Sequence, residues 1–187
     1  MQILITGAAG FIGYSLSKFL IEKKILVIGI DNINSYYDVN LKKQRITELK
    51  KYKYFKFYKI DINNKKRISD LFKANKIKYV VHLAAQAGVR KSIYDPDSYF
   101  KNNIEGFFNI LKISKFFKLK HLIFASSSSV YGKGSSKASS ESDNTDEPLS
   151  FYAASKKTNE IMAYSFANIY KLPTTSLRFF TVYGPSG

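Results

Sequence analysis

The sequence predicts an α/β fold with a doubly wound parallel sheet, and three observations carry that prediction. Short apolar runs alternate six times with longer helical ones, a glycine-rich turn joins the first run to the first helix, and an acidic residue closes the second run. Strand–helix–strand units cross over right-handed and give a parallel sheet covered on both faces. Two such halves in one chain imply the strand order 3-2-1-4-5-6.

The elements follow from the periodicity. Residues 2–6 read as a buried strand, and residues 11–24 as a helix with Phe11, Ile12, Leu16, Phe19 and Leu20 on one face. A second strand spans 25–30, residues 31–37 form a loop, and a polar helix runs to about residue 51. Strands at 54–59 and 79–83 flank a helix at 65–75, and a loop of small residues then leads into one long helix over 96–117. The fifth strand is 121–125. Residues 133–150 are Ser-rich, polar and poor in apolar side chains, which makes them a surface loop. A helix at 151–170 and a strand at 174–179 complete the pattern, leaving only Tyr183-Gly184-Pro185-Ser186-Gly187 beyond it. The expectation is a single domain over 1–187, with no residues left to close a substrate pocket.

Composition narrows the classes of function. The chain is 45% hydrophobic and 16% aromatic, which suits a packed core rather than disorder. It has no cysteine, so neither disulfides nor thiolate metal sites are available, in keeping with a reducing cytoplasm. His82 and His121 lie in apolar strand runs and read as core or strand-end histidines, so no metal site is expected. The N-terminus lacks the basic start and cleavage site of a secretory signal, and no apolar run approaches the ~18 residues of a membrane span. The expectation is a soluble cytoplasmic protein. The net charge of +16 raises the possibility of a nucleic-acid partner, but all except four of its 30 cations are lysines, scattered through helices and turns. Base readout leans on arginine, so this charge is read as a solvated surface.

The turn Gly7-Ala8-Ala9-Gly10-Phe11-Ile12-Gly13 stands between strand and helix. Glycines there let backbone N–H groups approach a pyrophosphate, and the helix N-terminus adds partial positive charge. Asp31, at the end of the second strand, lies at the distance that ribose hydroxyl recognition requires. Asn32 rather than Arg follows it, and no cation is expected where a 2′-phosphate would sit, so NAD is favoured over NADP.

Tyr152 and Lys156 stand one helical turn apart on the same face. A fixed ammonium stabilises a phenolate and would lower the phenol from its ordinary value near 10. With 14 tyrosines in so lysine-rich a chain, the spacing is expected by chance about twice, and Tyr52 and Lys56 repeat it ahead of a strand. Context favours Tyr152. It opens a helix 25 residues after Ser127, which sits in a serine run at the carboxyl end of the fifth strand, where doubly wound sheets bind ligands.

Together these segments resemble the extended short-chain dehydrogenase/reductases of Rossmann fold, and within them the NAD-dependent sugar-nucleotide 4-epimerases. The likeness to UDP-glucuronate 4-epimerases rests on Asp31-Asn32 with Tyr36-Tyr37-Asp38, on Gln86-Ala87-Gly88-Val89-Arg90, and on Arg178-Phe179-Phe180-Thr181-Val182-Tyr183-Gly184-Pro185. The resemblance implies that Gly7, Gly10, Phe11, Ile12, Gly13, Asp31 and Asn32 hold NAD. It adds Asp61 and Ile62 beside the adenine, Leu83, Ala84 and Ala85 along the cofactor's middle, Asn103 at the strand ends, and Phe179. Ser127, Tyr152 and Lys156 would form the catalytic group, Tyr152 and Lys156 touching the cofactor as well. Arg90, Ser127, Ser128, Tyr152 and Thr181 would meet the UDP-sugar. Related dehydratases carry Thr-Asp-Glu where this chain has Ser127-Ser128-Ser129, so elimination of water is disfavoured. The implied chemistry is oxidation at C4, rotation of the 4-keto sugar and return of hydride, with NAD retained. The resemblance also implies a C-terminal substrate portion missing from these 187 residues, so that the chain is weak or inactive by itself, or is a silent NAD-binding remnant or partner subunit. It further implies a homodimer through the helices at 96–117 and 151–170. Ser186 stands where the subgroup usually has a bulkier residue.

Overall fold

A computed structural model of the chain describes residues 2–133, 138–185 and 187. Its strands are β1 (Gln2–Thr6), β2 (Leu26–Asp31), β3 (Phe55–Lys59), β4 (Tyr79–His82), β5 (His121–Ser127) and β6 (Thr174–Phe179). They form one sheet in the order β3-β2-β1-β4-β5-β6, every pair parallel, as the alternation predicts. The order reverses between β1 and β4, and a cleft opens there at the carboxyl ends of the strands.

Helices α1 (Phe11–Glu22) and α2 (Val39–Leu49) cover one face. α3 (Lys65–Ala74), α6 (Gly106–Phe116) and α7 (Phe151–Tyr170) cover the other. Alternation along β1 divides the core between them. Ile3 and Ile5 pack with Val27, Ile46 and Leu49 on the first face, and Leu4 packs with Ile28, Ile30, Phe107 and Phe124 on the second. Leu4, Ile5, Ile28 and Ile30 are fully buried. Each contributes about 1.5–3 kcal/mol of transfer free energy relative to exposure. At the other edge β6 runs half open, with Thr175, Ser176 and Leu177 exposed.

Three expectations change. The apolar stripe predicted for α1 is only partly its inner face: Leu16 and Leu20 pack against the core, but the buried residues are Gly13, Tyr14, Ser17 and Ile21, and Phe19 is exposed. The glycine turn brings the helix so close that small residues are needed at its start. The long helix predicted over 96–117 runs unbroken from Pro96 to Phe116 as α5 (Pro96–Tyr99), a π-helical turn (Phe100–Glu105) and α6; what changes is that π turn within it and an extra turn, α4 (Lys91–Tyr94), ahead of it. Asp95 caps α5 by accepting from the Ser98 N–H at 3.3 Å, with Pro96 at the first helical position. β5 continues through Ser126 and Ser127, so the serine run begins inside the sheet. Within the predicted surface loop, residues 134–137 lie outside the described residues, as do Met1 and Ser186.

Candidate active site

The glycine turn is fixed by sterics. Gly7 has φ +71°, and a Cβ there would lie 2.8 Å from the Ala84 nitrogen. A Cβ on Gly13 would lie 2.1 Å from the Gly7 carbonyl oxygen, so only glycine permits this approach of helix to strand. The Gly10 N–H donates to Gly7 O at 3.0 Å and the Ala8 N–H to Ile30 O at 3.1 Å. Gly10 is the N-cap of α1 and contributes no side-chain hydrogen bond, which leaves first-turn donors directed at the cleft.

Asp31 is engaged on both oxygens. Oδ2 accepts from the Ala9 N–H at 3.1 Å and Oδ1 from the Ile33 N–H at 2.8 Å. Asn32 donates to Asp61 Oδ2 at 2.8 Å, and Asp61 Oδ1 accepts from the Asn63 N–H at 2.8 Å. Asp31, Asn32 and Ile62 line a cavity of about 780 Å³, counting space open to solvent, with Gly7, Gly10 and the Leu83 to Ala85 segment. Lys42 lines it as well. Its Nζ donates to Asn34 O at 2.9 Å and lies 4.1 Å from the Tyr37 ring centre, and burial lowers its pKa. A cation therefore does stand beside Asp31, contrary to the expectation from Asn32 alone. α2 supplies it from beyond the loop.

The segment after β4 is tied down from three directions. Thr6 Oγ1 accepts from the N–H groups of Leu83 (3.2 Å) and Ala84 (3.1 Å), leaving its proton for His82 Nδ1 at 2.8 Å. His82 is fully buried and held neutral, its pKa pushed down to about 3 by desolvation and then by the Lys156 charge. Asn103, in the π-helical turn, is buried and does not line the cleft. It accepts from the Gln86 N–H at 2.7 Å and donates to Gln86 O and Ser155 Oγ, both at 3.0 Å. It therefore reaches the site only through the loop and α7. Tyr36 and Tyr99 each donate to Ala87 O at 2.6 Å.

At the other end, Ser127, Ser128, Tyr152, Lys156, Phe179 and Thr181 line a second cavity of about 1500 Å³, also counted to its open mouth. Gly7, Gly10, Phe11, Ile12 and Gly13 line it too, so one cleft runs from Asp31 to Tyr152. Ser150 caps α7 by accepting from the Ala153 N–H at 3.1 Å, which sets Tyr152 in the first turn. Lys156 lies one turn on, its Nζ 6.0 Å from the Tyr152 ring centre and donating to Ala125 O at 3.0 Å. Its burial lowers its pKa to about 8. The phenol does not show the predicted lowering. Burial raises it and outweighs the opposing hydrogen bond from Ser127. The Lys156 Nζ, whose hydrogen bond is to the β5 carbonyl, does not offset that burial. Arg90 is exposed and lines none of the cavities described. Tyr14 and Lys18 share the Tyr-x-x-x-Lys spacing on α1, but both bond Glu48 on α2, away from the cleft.

The sequence of residues 3–187 matches the NAD dependent epimerase/dehydratase family. The chain belongs to this family. It is 54% identical over 187 residues to protein CapI of Staphylococcus aureus, covering 100% of this chain and 56% of CapI. It is 46% identical to the UDP-glucuronate 4-epimerase of Thermodesulfobacterium geofontis, over 98% of this chain and 57% of that protein. The crystal structure of UDP-glucuronic acid 4-epimerase from Bacillus cereus, in complex with UDP-glucuronic acid and NAD, superposes with a TM-score of 0.93 at 39% identity, covering 100% of this chain and 58% of that one. The chain thus spans a little over half the length of these epimerase/dehydratase relatives. Among the described residues no helix is long and apolar enough to cross a membrane.

Sequence reasoning missed Lys42 and Arg45 as residues lining this family member's cleft, and had Tyr36, Tyr37 and Gln86 only as motif residues with no role assigned. The two cations of α2 face inward among exposed neighbours, where a polar helix gives no warning.

Proposed function

We propose that this chain holds NAD across the carboxyl ends of β1, β4 and β5 and carries the redox half of a UDP-sugar 4-epimerisation, with UDP-glucuronate and UDP-galacturonate as the pair. The observation that carries the reading is the single cleft joining the glycine turn and Asp31 to Ser127, Tyr152 and Lys156. The uncapped first turn of α1 offers donors to a pyrophosphate, and Asp31 and Lys42 line the end where a ribose would sit. Ile62, Leu83, Ala84 and Ala85 give that end its apolar wall, with Asp61 behind Asn32. Bound NAD would supply a hydride acceptor and a positive charge.

The chain's own residues would do the rest. Ser127 lines the same cavity as the Tyr152 phenol, whose pKa it pulls down against burial, and would orient a sugar hydroxyl beside it. Tyr152 would take the C4 hydroxyl proton and later return it. Lys156, drawn to Ala125 O without ligand, would turn its charge to the phenol and the ribose. Ser128 and Thr181 line the same end and would meet the sugar, while Arg90 would reach the substrate only if the loop bearing it closed.

The relatives are longer, so this chain would retain NAD but turn over little without the portion that follows in them. Exposed Phe108, Ile161 and Tyr164 on α6 and α7 would pair two copies, which sedimentation velocity would show as a dimer. The test combines this chain with the C-terminal portion of the S. aureus relative, NAD and UDP-glucuronate, and separates products by anion exchange. UDP-galacturonate is expected, and Tyr152→Phe should reduce it about 1000-fold or more while NAD stays bound. A chain that retains no NAD would end this reading.

A further inference from the structure

Ala9, at the centre of the glycine turn, is held on both of its flanking peptides, Ala8–Ala9 and Ala9–Gly10, by side chains from outside the turn. Its N–H donates to Asp31 Oδ2 at 3.1 Å. Its carbonyl accepts from the Arg45 guanidinium at 3.2 Å and from the Tyr37 hydroxyl at 3.4 Å. Arg45 also donates to the Tyr37 oxygen at 3.2 Å, so phenol, guanidinium and carbonyl close a small ring of bonds. Arg45 is only 4% exposed, and Tyr37 is packed between it and Lys42.

We infer that Arg45 and Tyr37 are positioning residues that fix the Ala9–Gly10 peptide, and through it the donors at the start of α1, for the pyrophosphate of a dinucleotide. The argument is one of rotation. A peptide in a glycine turn can flip by small changes in its two flanking torsions, and Gly10 follows Ala9 directly. Asp31 holds only the Ala8–Ala9 peptide; in the Ala9–Gly10 peptide the Gly10 N–H donates within the turn, to Gly7 O at 3.0 Å, and by itself leaves that plane free to tilt about the bond. A second anchor on the carbonyl, from α2 and 36 residues away, removes that freedom. Because Gly10 is the N-cap of α1, the direction of the Ala9–Gly10 peptide sets where the next N–H groups point. Arginine suits the task because Nη1 gives its N–H groups to carbonyl and phenol in directions fixed by the guanidinium plane, whereas a lysine's ammonium rotates on a flexible stem.

The inference rests on the dinucleotide reading above, and a ligand series separates the two. Tyr37→Phe and Arg45→Lys would be compared with the unaltered chain for ADP-ribose, which has the pyrophosphate, and for adenosine, which lacks it, by NMR titration with thermal unfolding alongside. Affinity for ADP-ribose should fall about fivefold in Tyr37→Phe and about tenfold in Arg45→Lys, with adenosine within twofold in both. An equal fall for adenosine would assign the pair a general structural role and overturn the inference. Unchanged ADP-ribose binding in both variants would overturn it too, leaving the cofactor reading intact. Failure of the unaltered chain to bind ADP-ribose would remove both. Tyr37→Phe keeps the ring and its packing, so it still decides the matter if Arg45→Lys fails to fold.

Discussion

Around β1 and β2 the cleft is walled by groups that are themselves held: Asp31 by two backbone N–H groups, the Ala9 carbonyl by Arg45 and Tyr37, and the Leu83 and Ala84 amides by Thr6. Around β5 and β6 the wall is open. Leu177, Phe180, Val182 and Tyr183 are exposed, Tyr183 at 90%, and Lys156 bonds the main-chain carbonyl of Ala125. The same sheet thus carries a preorganised end and an unfinished one. Preorganisation reduces what a ligand must supply for ordering, so the first end is suited to bind alone, whereas the second needs more chain or a substrate to complete it.

The largest expected effect lies in the preorganised end. Gly13→Ala would drive a methyl to 2.1 Å from a backbone oxygen that cannot withdraw without breaking the turn. It should cost about 3 kcal/mol or more in urea unfolding and abolish dinucleotide binding. A cost near zero would mean that the turn is as yielding as the β6 edge, and the contrast would fail.

Next is acid sensitivity. His82 is held at about 3 in the folded state against 6.5 unfolded, so the unfolded chain binds the extra proton between those values. Stability present above pH 6.5 should therefore be lost as pH falls, by about 2 kcal/mol near pH 5 from this group. His82→Asn, which keeps an acceptor for Thr6, should flatten that limb of the pH–stability curve. An unchanged limb would place the acid sensitivity elsewhere.

Lys156 tests the unfinished end. Its folded value near 8 lies below the unfolded 10.5, so burying the ammonium costs stability in full below pH 8, a cost relieved as pH rises toward 10.5. Lys156→Met should raise stability at pH 7 by about 1–2 kcal/mol, with the gain shrinking by pH 10, as followed by thermal unfolding. A loss at pH 7 would show that the bond to Ala125 O outweighs desolvation, and that this end is as settled as the other. The smallest effects belong to the open wall: Leu177→Ser and Tyr183→Ser should each change stability by less than about 0.5 kcal/mol.

The parts legible in the sequence are those governed by local periodicity. β6 and α7 fall at their predicted limits, and the strand order follows from the alternation. The glycine turn, Asp31 and the Ser127–Tyr152–Lys156 group were readable because each is spaced by its own element. Asn103 was expected to support the strand ends and does so through Gln86 and Ser155, but that it stands behind the cleft rather than against the cofactor was not readable, because the π-helical turn that aims it leaves no pattern in a helical run. Arg45 and Lys42 were hidden for a related reason. Their significance lies in contacts spanning tens of residues, and a cation in a polar helix looks like any other until its neighbours are known. The phenol's acidity was misjudged because spacing reports proximity, whereas burial and the choice of hydrogen-bond acceptor decide which way a pKa moves.

The central place of β1 has a consequence for how the chain is made. Its two neighbours, β2 and β4, pair Ile3 with Val27 on one side and with Tyr79 on the other. During synthesis β1 must therefore wait, with one edge bare, until the stretch of about 70 residues that separates it from β4 has followed. Long-range parallel pairing of this kind is slow, and bare apolar edges invite association between nascent chains. A dense coat of lysines, repelling one copy from the next, would protect the chain through that interval.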